Sequence, residues 1–375
     1  MKVALDLQPC YGKRSGIGTY TYELARHLKN ADGMEFYGNI FNFLGRENSQ
    51  DALNGIALPV RRCGLMPFGV YRRIWHMLPL PYSRLFPPAD VNLFFDFIVP
   101  PGVKGRVITT VHDMSFLRYP ETVSETNRRR IRCDIHYSLE RSDRIATISA
   151  FSKQELITLL GAPEEKIILV PPAPSCVPLV PGKGGLLLER LGISFPYLLY
   201  VGTIEPRKNL SRLIHAFTLL KQESAIPHHL VLAGGKGWNN EEIYTAAAQA
   251  ACAADIDFIG YVSAQDKTAL YQGASAFVFP SLYEGFGIPP LEAMLCGCPV
   301  ICANAASLPE VVGDAAELVD PLDERGIAEG IWHVLSDHTY AATLVERGYR
   351  QSERFTWQAS AQALTNACRE LMEAP

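Results

Sequence analysis

Two carboxylates, Glu284 and Glu292, stand in one segment, Pro280 to Pro299, that reads PSLYEGFGIPPLEAMLCGCP. The apolar run Ala274 to Phe279 precedes it and reads as a buried strand. After Glu284, the residues Gly285, Phe286 and Gly287 make a tight loop. Pro289 and Pro290 suit the first turn of a helix, where a missing N–H costs little. Glu292 follows on that helix. Exposed N–H groups and the positive end of the helix dipole form a site for a phosphate. Carboxylates repel phosphate and are better suited to accept hydrogen bonds from sugar hydroxyls. The combination points to a nucleotide sugar.

Four more loops carry chemistry. Gly12 to Tyr20 reads GKRSGIGTY, between a strand and a helix, and Gly16 and Gly18 allow a ligand close to the backbone. It is not the full dinucleotide fingerprint. His112 and Asp113 close the strand RVITTV, so the histidine is expected at the carboxyl end of a parallel strand. The segment VGTIEPRKNL, Val201 to Leu210, places Arg207 and Lys208 in a strand-to-helix loop. Those cations suit the negative charge that builds on a departing diphosphate. No DxD-type cluster accompanies them, so no metal and no cofactor is expected. The glycines of Ala233 to Gly237, with Gly234 among them, would let a nucleotide lie close. The strand end FIGYV, with Gly260, Tyr261 and Val262, offers backbone groups to a base edge.

These loops must be positioned by repeated strand–helix units. Strand candidates are Val3–Leu7, Phe36–Phe43, Val91–Val99, Val107–Val111, Arg144–Ile148 and Ile167–Val170 in the first half. In the second they are Tyr197–Val201, His229–Ala233, Ile256–Ile259, Ala276–Phe279, Val300–Ala303 and Glu317–Val319. Tyr20–Leu28 and Ser149–Leu160 have helical patterns. Such alternation predicts parallel sheets covered by helices, an α/β class. The chain has 375 residues, which favours two domains. The Pro- and Gly-rich stretch Pro171–Gly185 reads as their linker. Two Rossmann-like domains facing across a cleft are expected, over 1–172 and 191–355, with 173–190 between them and a tail helix, about 356–375, crossing back. Leu58–Pro88, rich in proline, arginine and aromatics, breaks the pattern.

Apolar residues make up 48% and charged residues 20% of the chain, as in globular proteins. No apolar run reaches the ~20 residues that span a bilayer, and no leader peptide is visible at the N-terminus. A cytoplasmic protein is expected, free or on the inner face of the membrane. The nine cysteines show no paired CxxC framework and read as reduced thiols, with zinc at Cys296, Cys298 and Cys302 as the alternative. The net charge of -4 argues against general nucleic-acid binding. Yet Gly55 to Asp134 holds twelve basic against six acidic residues, which suggests an acidic partner on that side.

In order along nearly the whole chain, the glycine loop at Gly16, VHD at His112, SAFSK at Ser149, GTIEPRKN at Gly202, AGGKGW at Ala233, FIGYVS at Phe258 and EGFGIPPLEAM at Glu284 resemble the retaining glycosyltransferases of family 4, which have the GT-B fold. The last segment is similar to the family's E-x7-E motif. The resemblance implies transfer of a hexose from a nucleotide diphosphate sugar with retention and without metal. It implies that the Gly16 loop, Arg207 and Lys208 meet the diphosphate. Glu284, with the N–H groups of Phe286 and Gly287, would hold the sugar, and Glu292 the ribose. Thr203, Gly234, Ser281 and Ile288 are further donor-site candidates. His112 would sit beside the transferred sugar. The family often has Arg where this chain has Thr203, so Arg207 would supply that cation.

Asp113, Arg72 and Arg73 are acceptor-side candidates. Arg61, Arg62, Arg72 and Arg73 beside Phe68, Tyr71 and Trp75 suggest a membrane surface or a lipid-linked diphosphate. The loop variants look most like mannosyltransferases that use GDP-mannose in polysaccharide or O-antigen type biosynthesis. A UDP-sugar donor, another GT-B enzyme such as an epimerase or phosphorylase, and a non-catalytic sugar-nucleotide-binding subunit are the alternatives.

Overall fold

In a computed structural model the apolar runs form two all-parallel sheets. Residues 1–11, 15–28, 33–43, 53–78, 80–123, 125–177, 179–180 and 182–373 are described. Residues 12–14, part of the first glycine loop, and 79, 178 and 181, in Leu58–Pro88 and in the expected linker, fall outside the described residues.

The first sheet holds β1 (Lys2–Asp6), β2 (Glu35–Phe41), β3 (Val60–Cys63), β4 (Val91–Phe94), β5 (Arg106–Val111), β6 (Arg144–Thr147) and β7 (Ile167–Leu169), in the order β3-β2-β1-β4-β5-β6-β7. The second holds β8 (Tyr197–Val201), β9 (His229–Ala233), β10 (Ile256–Gly260), β11 (Ala276–Phe279), β12 (Val300–Ala303) and β13 (Glu317–Val319), in the order β10-β9-β8-β11-β12-β13. Helices cover the faces, so strands such as Tyr197–Val201 are buried along their whole length. Val3 pairs with both Phe36 and Val91, and Leu198 pairs with Ala276. In each sheet the strand order reverses once, between β1 and β4 and between β8 and β11. Open α/β sheets bind ligands beyond the carboxyl ends of strands at such reversals.

The chain divides into two units. One comprises Met1–Met114, Glu125–Pro172 and Trp357–Pro375; the other comprises Ser115–Ser124 and Ala173–Thr356. Segment Ser115–Ser124 thus groups with the second sheet although it lies in the first half of the sequence. Trp238 Nε1 donates to the Thr122 carbonyl there. The C-terminal helix Trp357–Glu373 belongs to the first unit, where Trp357 meets the Tyr20 ring edge-on at 5.9 Å and Ser360 Oγ donates to the Pro171 carbonyl at 2.5 Å.

Leu58–Pro88 is not the pure interruption its composition suggests. It contains β3 and the helices Phe68–Ile74 and Tyr82–Leu85. The strand VRRC is short and charged because it is an edge strand, where charge discourages further pairing. Among the described residues no helix is long and apolar enough to cross a membrane.

Candidate active site

In the second unit, the loops after β8 and β11 meet where the strand order reverses. After β8, a single turn at Pro206–Lys208 ends at Asn209, which has a left-handed backbone (φ 62°) and starts the helix Leu210–Ser224. Its side-chain amide donates to the carbonyls of Pro280 and Pro321 at 3.1 and 2.6 Å. The Leu282 N–H donates to the Arg207 carbonyl at 2.9 Å. The two loops are therefore stitched by backbone as well as side chains.

That stitching brings Arg207, Lys208 and Glu284 together. Lys208 Nζ lies 2.5 Å from Glu284 Oε1, and Arg207 Nη1 lies 3.0 Å from Oε2. Arg207 also pairs with Glu205 at 2.8 Å. All four are largely buried. Burial alone would raise the Glu284 pKa, but the two cations outweigh it and hold the carboxyl down to about 2. Ser281 Oγ is close enough to help keep Glu284 ionised. It is fully buried.

Beyond Glu284 the chain turns through Gly287 (φ 108°) into the helix Ile288–Leu295. A Cβ at Gly287 would lie 2.6 Å from Leu308 Cδ2, so the turn requires glycine twice over. Ser307 Oγ lies 2.9 Å from both the Glu284 and the Phe286 carbonyl, and its one hydrogen is shared between these two acceptors. With the carbonyls held, the Phe286 and Gly287 N–H groups make no backbone hydrogen bond among the described residues. Ser307 is a loop anchor that the sequence did not mark, because nothing local distinguishes a serine 23 positions downstream.

Glu292 sits one turn into that helix, buried, and its two oxygens are engaged. Lys267 Nζ reaches Oε1 at 2.5 Å and the Tyr271 hydroxyl donates to Oε2 at 3.2 Å. Burial raises its pKa despite Lys267. Lys267 and Tyr271 were also missed; their spacing of four places both on one face of the helix Ala264–Gly273. Cys176 Sγ lies 3.5 Å from the Glu292 carbonyl and 2.6 Å from Cys296 Sγ. All nine cysteines are free thiols, and among the described residues no group of three His, Cys, Asp or Glu side chains is arranged to hold a metal.

The remaining donor-side candidates divide. Thr203 is exposed, and Tyr261 is 69% exposed just after the left-handed Gly260 (φ 72°), with Val262 half-buried beyond it. Gly234 has a further reason to be glycine beyond the one its sequence suggests. A Cβ there would lie 1.7 Å from the Gly202 carbonyl oxygen, so the close approach of the β8 and β9 ends by itself requires glycine. Its N–H donates to the Gly260 carbonyl at 2.8 Å, joining the third strand end to the same knot.

In the first unit, Ser15 caps the helix Gly16–His27 and its side chain accepts the Gly18 N–H at 3.2 Å. Gly18 is buried and its N–H is used; Gly16 is exposed with open space beside it. His112 follows β5. Its Nε2 lies 2.8 Å from the Phe95 carbonyl, which can only accept, so Nε2 carries the hydrogen and Nδ1 is the acceptor. Burial lowers the His112 pKa and favours the neutral ring. Tyr20 packs edge-on at 5.0 Å and Phe97 at 5.6 Å between centroids. Ser152, in the helix capped by Ser149, donates to the His112 carbonyl at 3.2 Å. The SAFSK segment thus pins the histidine's backbone. Asp113, next in sequence, is half-buried.

Arg72 and Arg73 part company. Both lie on the helix Phe68–Ile74, but Arg72 is half-buried with its guanidinium 5.8 Å from the Phe68 ring, while Arg73 is exposed. Arg61 stacks on the Tyr37 ring at 3.8 Å, and Tyr71 and Trp75 are buried. Of the expected basic and aromatic surface, Arg62 and Arg73 are the arginines left exposed. The aromatic rings went inward because their area is worth more in the core.

Comparison with known proteins agrees with this geometry. A family model described as Glycosyltransferase Family 4 matches residues 14–173, and one described as Glycosyl transferases group 1 matches 191–351. O-antigen chain mannosyltransferase B of Escherichia coli is 32% identical over 383 residues, covering 98% of this chain and 99% of that one. The serotype-specific mannosyltransferase WbdA of Escherichia coli is 29% identical over 69% of this chain and 33% of its own length. Among solved structures, Anabaena HepE in complex with UDP and glucose superposes with a TM-score of 0.76 at 18% identity, covering 99% of this chain and 100% of that one. WaaG, a glycosyltransferase involved in lipopolysaccharide biosynthesis, gives 0.72 at 15% identity, covering 99% of this chain and 100% of that one. The chain belongs to the family 4 glycosyltransferases, and its two parallel-sheet domains are of the GT-B kind.

Proposed function

We propose that the chain is a retaining hexosyltransferase that moves mannose from GDP-mannose to a hydroxyl of a glycan or lipid-linked acceptor, in polysaccharide or O-antigen type biosynthesis. The observation that carries the chemistry is the buried Lys208–Glu284–Arg207 cluster, with the buried Ser281 hydroxyl beside Glu284. The sugar rests on the full-length likeness to a protein named as a mannosyltransferase.

In this reading Lys208 offers its remaining N–H donors to the diphosphate, and Arg207 adds its field. Both are preorganised by Glu284, so they need not rearrange as charge develops on the leaving GDP. No metal is needed for that role. Ser281 and the Phe286 and Gly287 N–H groups meet the sugar hydroxyls. A ribose would share Glu292 with Lys267 and Tyr271. The bond from the anomeric carbon to phosphate oxygen breaks, the acceptor oxygen bonds on the same face, and its proton passes to the departing phosphate. Glu284 is a poor nucleophile here, since two cations hold its lone pairs and its pKa near 2. Neutral His112 positions substrate rather than taking the proton.

The acceptor side includes a membrane contact. Leu65, Met77 and Leu78 are 71%, 82% and 69% exposed, with Arg62 and Arg73 exposed in the same stretch. Apolar side chains among arginines suit an anionic interface on the inner membrane face.

Isothermal titration of the full chain with GDP and with UDP tests the donor. Tighter binding of GDP, by tenfold or more, is expected. A preference for UDP would favour the alternative, a glucosyl or similar UDP-sugar donor. Binding without turnover in a screen of donors and acceptors would leave a sugar-nucleotide-binding subunit.

A further inference from the structure

The stretch that opens the second unit and the helix that carries Glu292 meet through sulfur. Cys176 Sγ lies 2.6 Å from Cys296 Sγ, at the end of the helix Ile288–Leu295, although 120 residues separate the two. A disulfide bond is ~2.05 Å long, so closing this pair asks for a movement of about half an ångström.

The two sulfurs differ in freedom. Cys296 is fixed by its backbone. Its N–H donates to the Glu292 carbonyl at 3.0 Å, and the Gly297 and Cys298 N–H groups donate to Met294 and Ala293 at 3.0 and 2.9 Å. Gly297, with φ 75°, turns the chain out of the helix. Cys176 lies in a segment without helix or strand, between the exposed Ser175 and Val177. The adjustment therefore falls to Cys176. Both thiols are half-buried and within reach of a small solute, whereas Cys298 and Cys302 are buried.

The hydrogens of the pair are ordered. The Glu292 carbonyl can only accept, so the Cys176 S–H donates to it at 3.5 Å, and the Cys296 S–H donates to the Cys176 sulfur. That hydrogen bond, with burial, pushes the Cys296 thiol up. Cys176 is the sulfur that meets an oxidant first. Closure removes both S–H groups, yet the Glu292 carbonyl keeps the Cys296 N–H. The Glu292 carboxylate keeps Lys267 and Tyr271. The candidate donor site is left in place.

We propose that Cys176 and Cys296 are a redox site: a peroxide closes them into a disulfide that staples the Pro-rich stretch to the Glu292 helix, and a dithiol opens it again. Cys176 gives its proton to solvent and its sulfur attacks a peroxide oxygen. The O–O bond breaks, a sulfenic acid forms and the first water leaves. The Cys296 sulfur then attacks the Cys176 sulfur. The S–O bond breaks, and the oxygen leaves as a second water with the Cys296 proton. Two thiols have lost two electrons and one peroxide has gained them. A dithiol reverses this by exchange and ends as its own disulfide. The closed loop is long, so the bond restricts the unfolded chain strongly.

The full chain, freed of reductant and treated with hydrogen peroxide, tests this. Free thiols are then blocked by alkylation and the digest is mapped by mass without reduction. A Cys176–Cys296 peptide pair, two hydrogens lighter than the free peptides, should dominate and should vanish on dithiothreitol. The oxidised chain should melt about 3 °C or more above the reduced one. Cys176→Ser and Cys296→Ser should each abolish the pair and the rise. Should Cys296→Ser fail to fold, Cys176→Ser, in the irregular segment, carries the comparison. Alkylation of both sulfurs after peroxide, their oxidation to sulfinic acid without the pair, pairing of Cys176 mainly with the exposed Cys133 of a second copy, or an unchanged melting temperature would overturn the staple.

Discussion

Lys208 Nζ and Glu284 Oε1 lie 2.5 Å apart although 76 residues separate them in sequence. The contact joins the loops at the single reversal of the second sheet, so one ion pair both ties the fold and shapes the candidate donor site. Replacing Lys208 by Met keeps much of the stem and removes the charge. Loss of one preorganised cation should lower kcat about 10²–10³-fold. Steady-state kinetics checks this; a kcat within threefold of wild type would remove Lys208 from the chemistry.

The same cluster sets a pH dependence. Burial pushes the Glu284 pKa up, and Arg207 and Lys208 bring it down to about 2, below its value in the unfolded chain. Its ionised form therefore stabilises the fold above about pH 4.5, and that contribution fades as pH falls through 2. The full effect is at most about 3 kcal/mol. Urea unfolding of wild type and Glu284→Gln should show a stability gap at pH 6 that narrows by pH 3. A gap independent of pH would contradict the ion-pair account.

Gly234 and Gly235 are neighbours with opposite expectations. A Cβ at Gly234 would strike the Gly202 carbonyl, while Gly235 has nothing within 4 Å. Gly234→Ala should destabilise by roughly 1–3 kcal/mol and Gly235→Ala by less than about 0.5 kcal/mol. Thermal melts of the two variants decide it. Equal melting temperatures would mean that the strand ends yield easily.

Arg73 and Met77 test the membrane contact. Flotation with anionic liposomes should be salt-sensitive and should be lost in Arg73→Glu with Met77→Ser. Unchanged flotation of that variant would place the contact elsewhere, and no flotation of the wild type would dispose of it.

Much of this was legible in the sequence for a physical reason. Parallel strands buried on both faces are continuous apolar runs, so His229–Ala233 and Ala276–Phe279 stand at the positions their composition implies. Ser149 and Gly161 mark the ends of a helix because a cap and a left-handed turn demand those residue types. Short motifs likewise located Lys208 and Glu284. Partnerships across the fold were not legible. That Glu292 answers to Lys267 and that Ser307 holds the Glu284 loop both depend on sheet order. The strand Val60–Cys63 was hidden because an edge strand is permitted two arginines. The backbone reason for Gly234 was hidden because a glycine needed by another backbone looks, in sequence, like one needed by a ligand.

Retaining mannosyl transfer from GDP-mannose is read out by proton NMR of the product formed from GDP-α-D-mannose and a mannose-ended oligosaccharide, with UDP-glucose in a parallel reaction. An α-linked mannosyl product, formed faster than any glucosyl product, is predicted. A β-linked product, or transfer from UDP-glucose in preference to GDP-mannose, would contradict it.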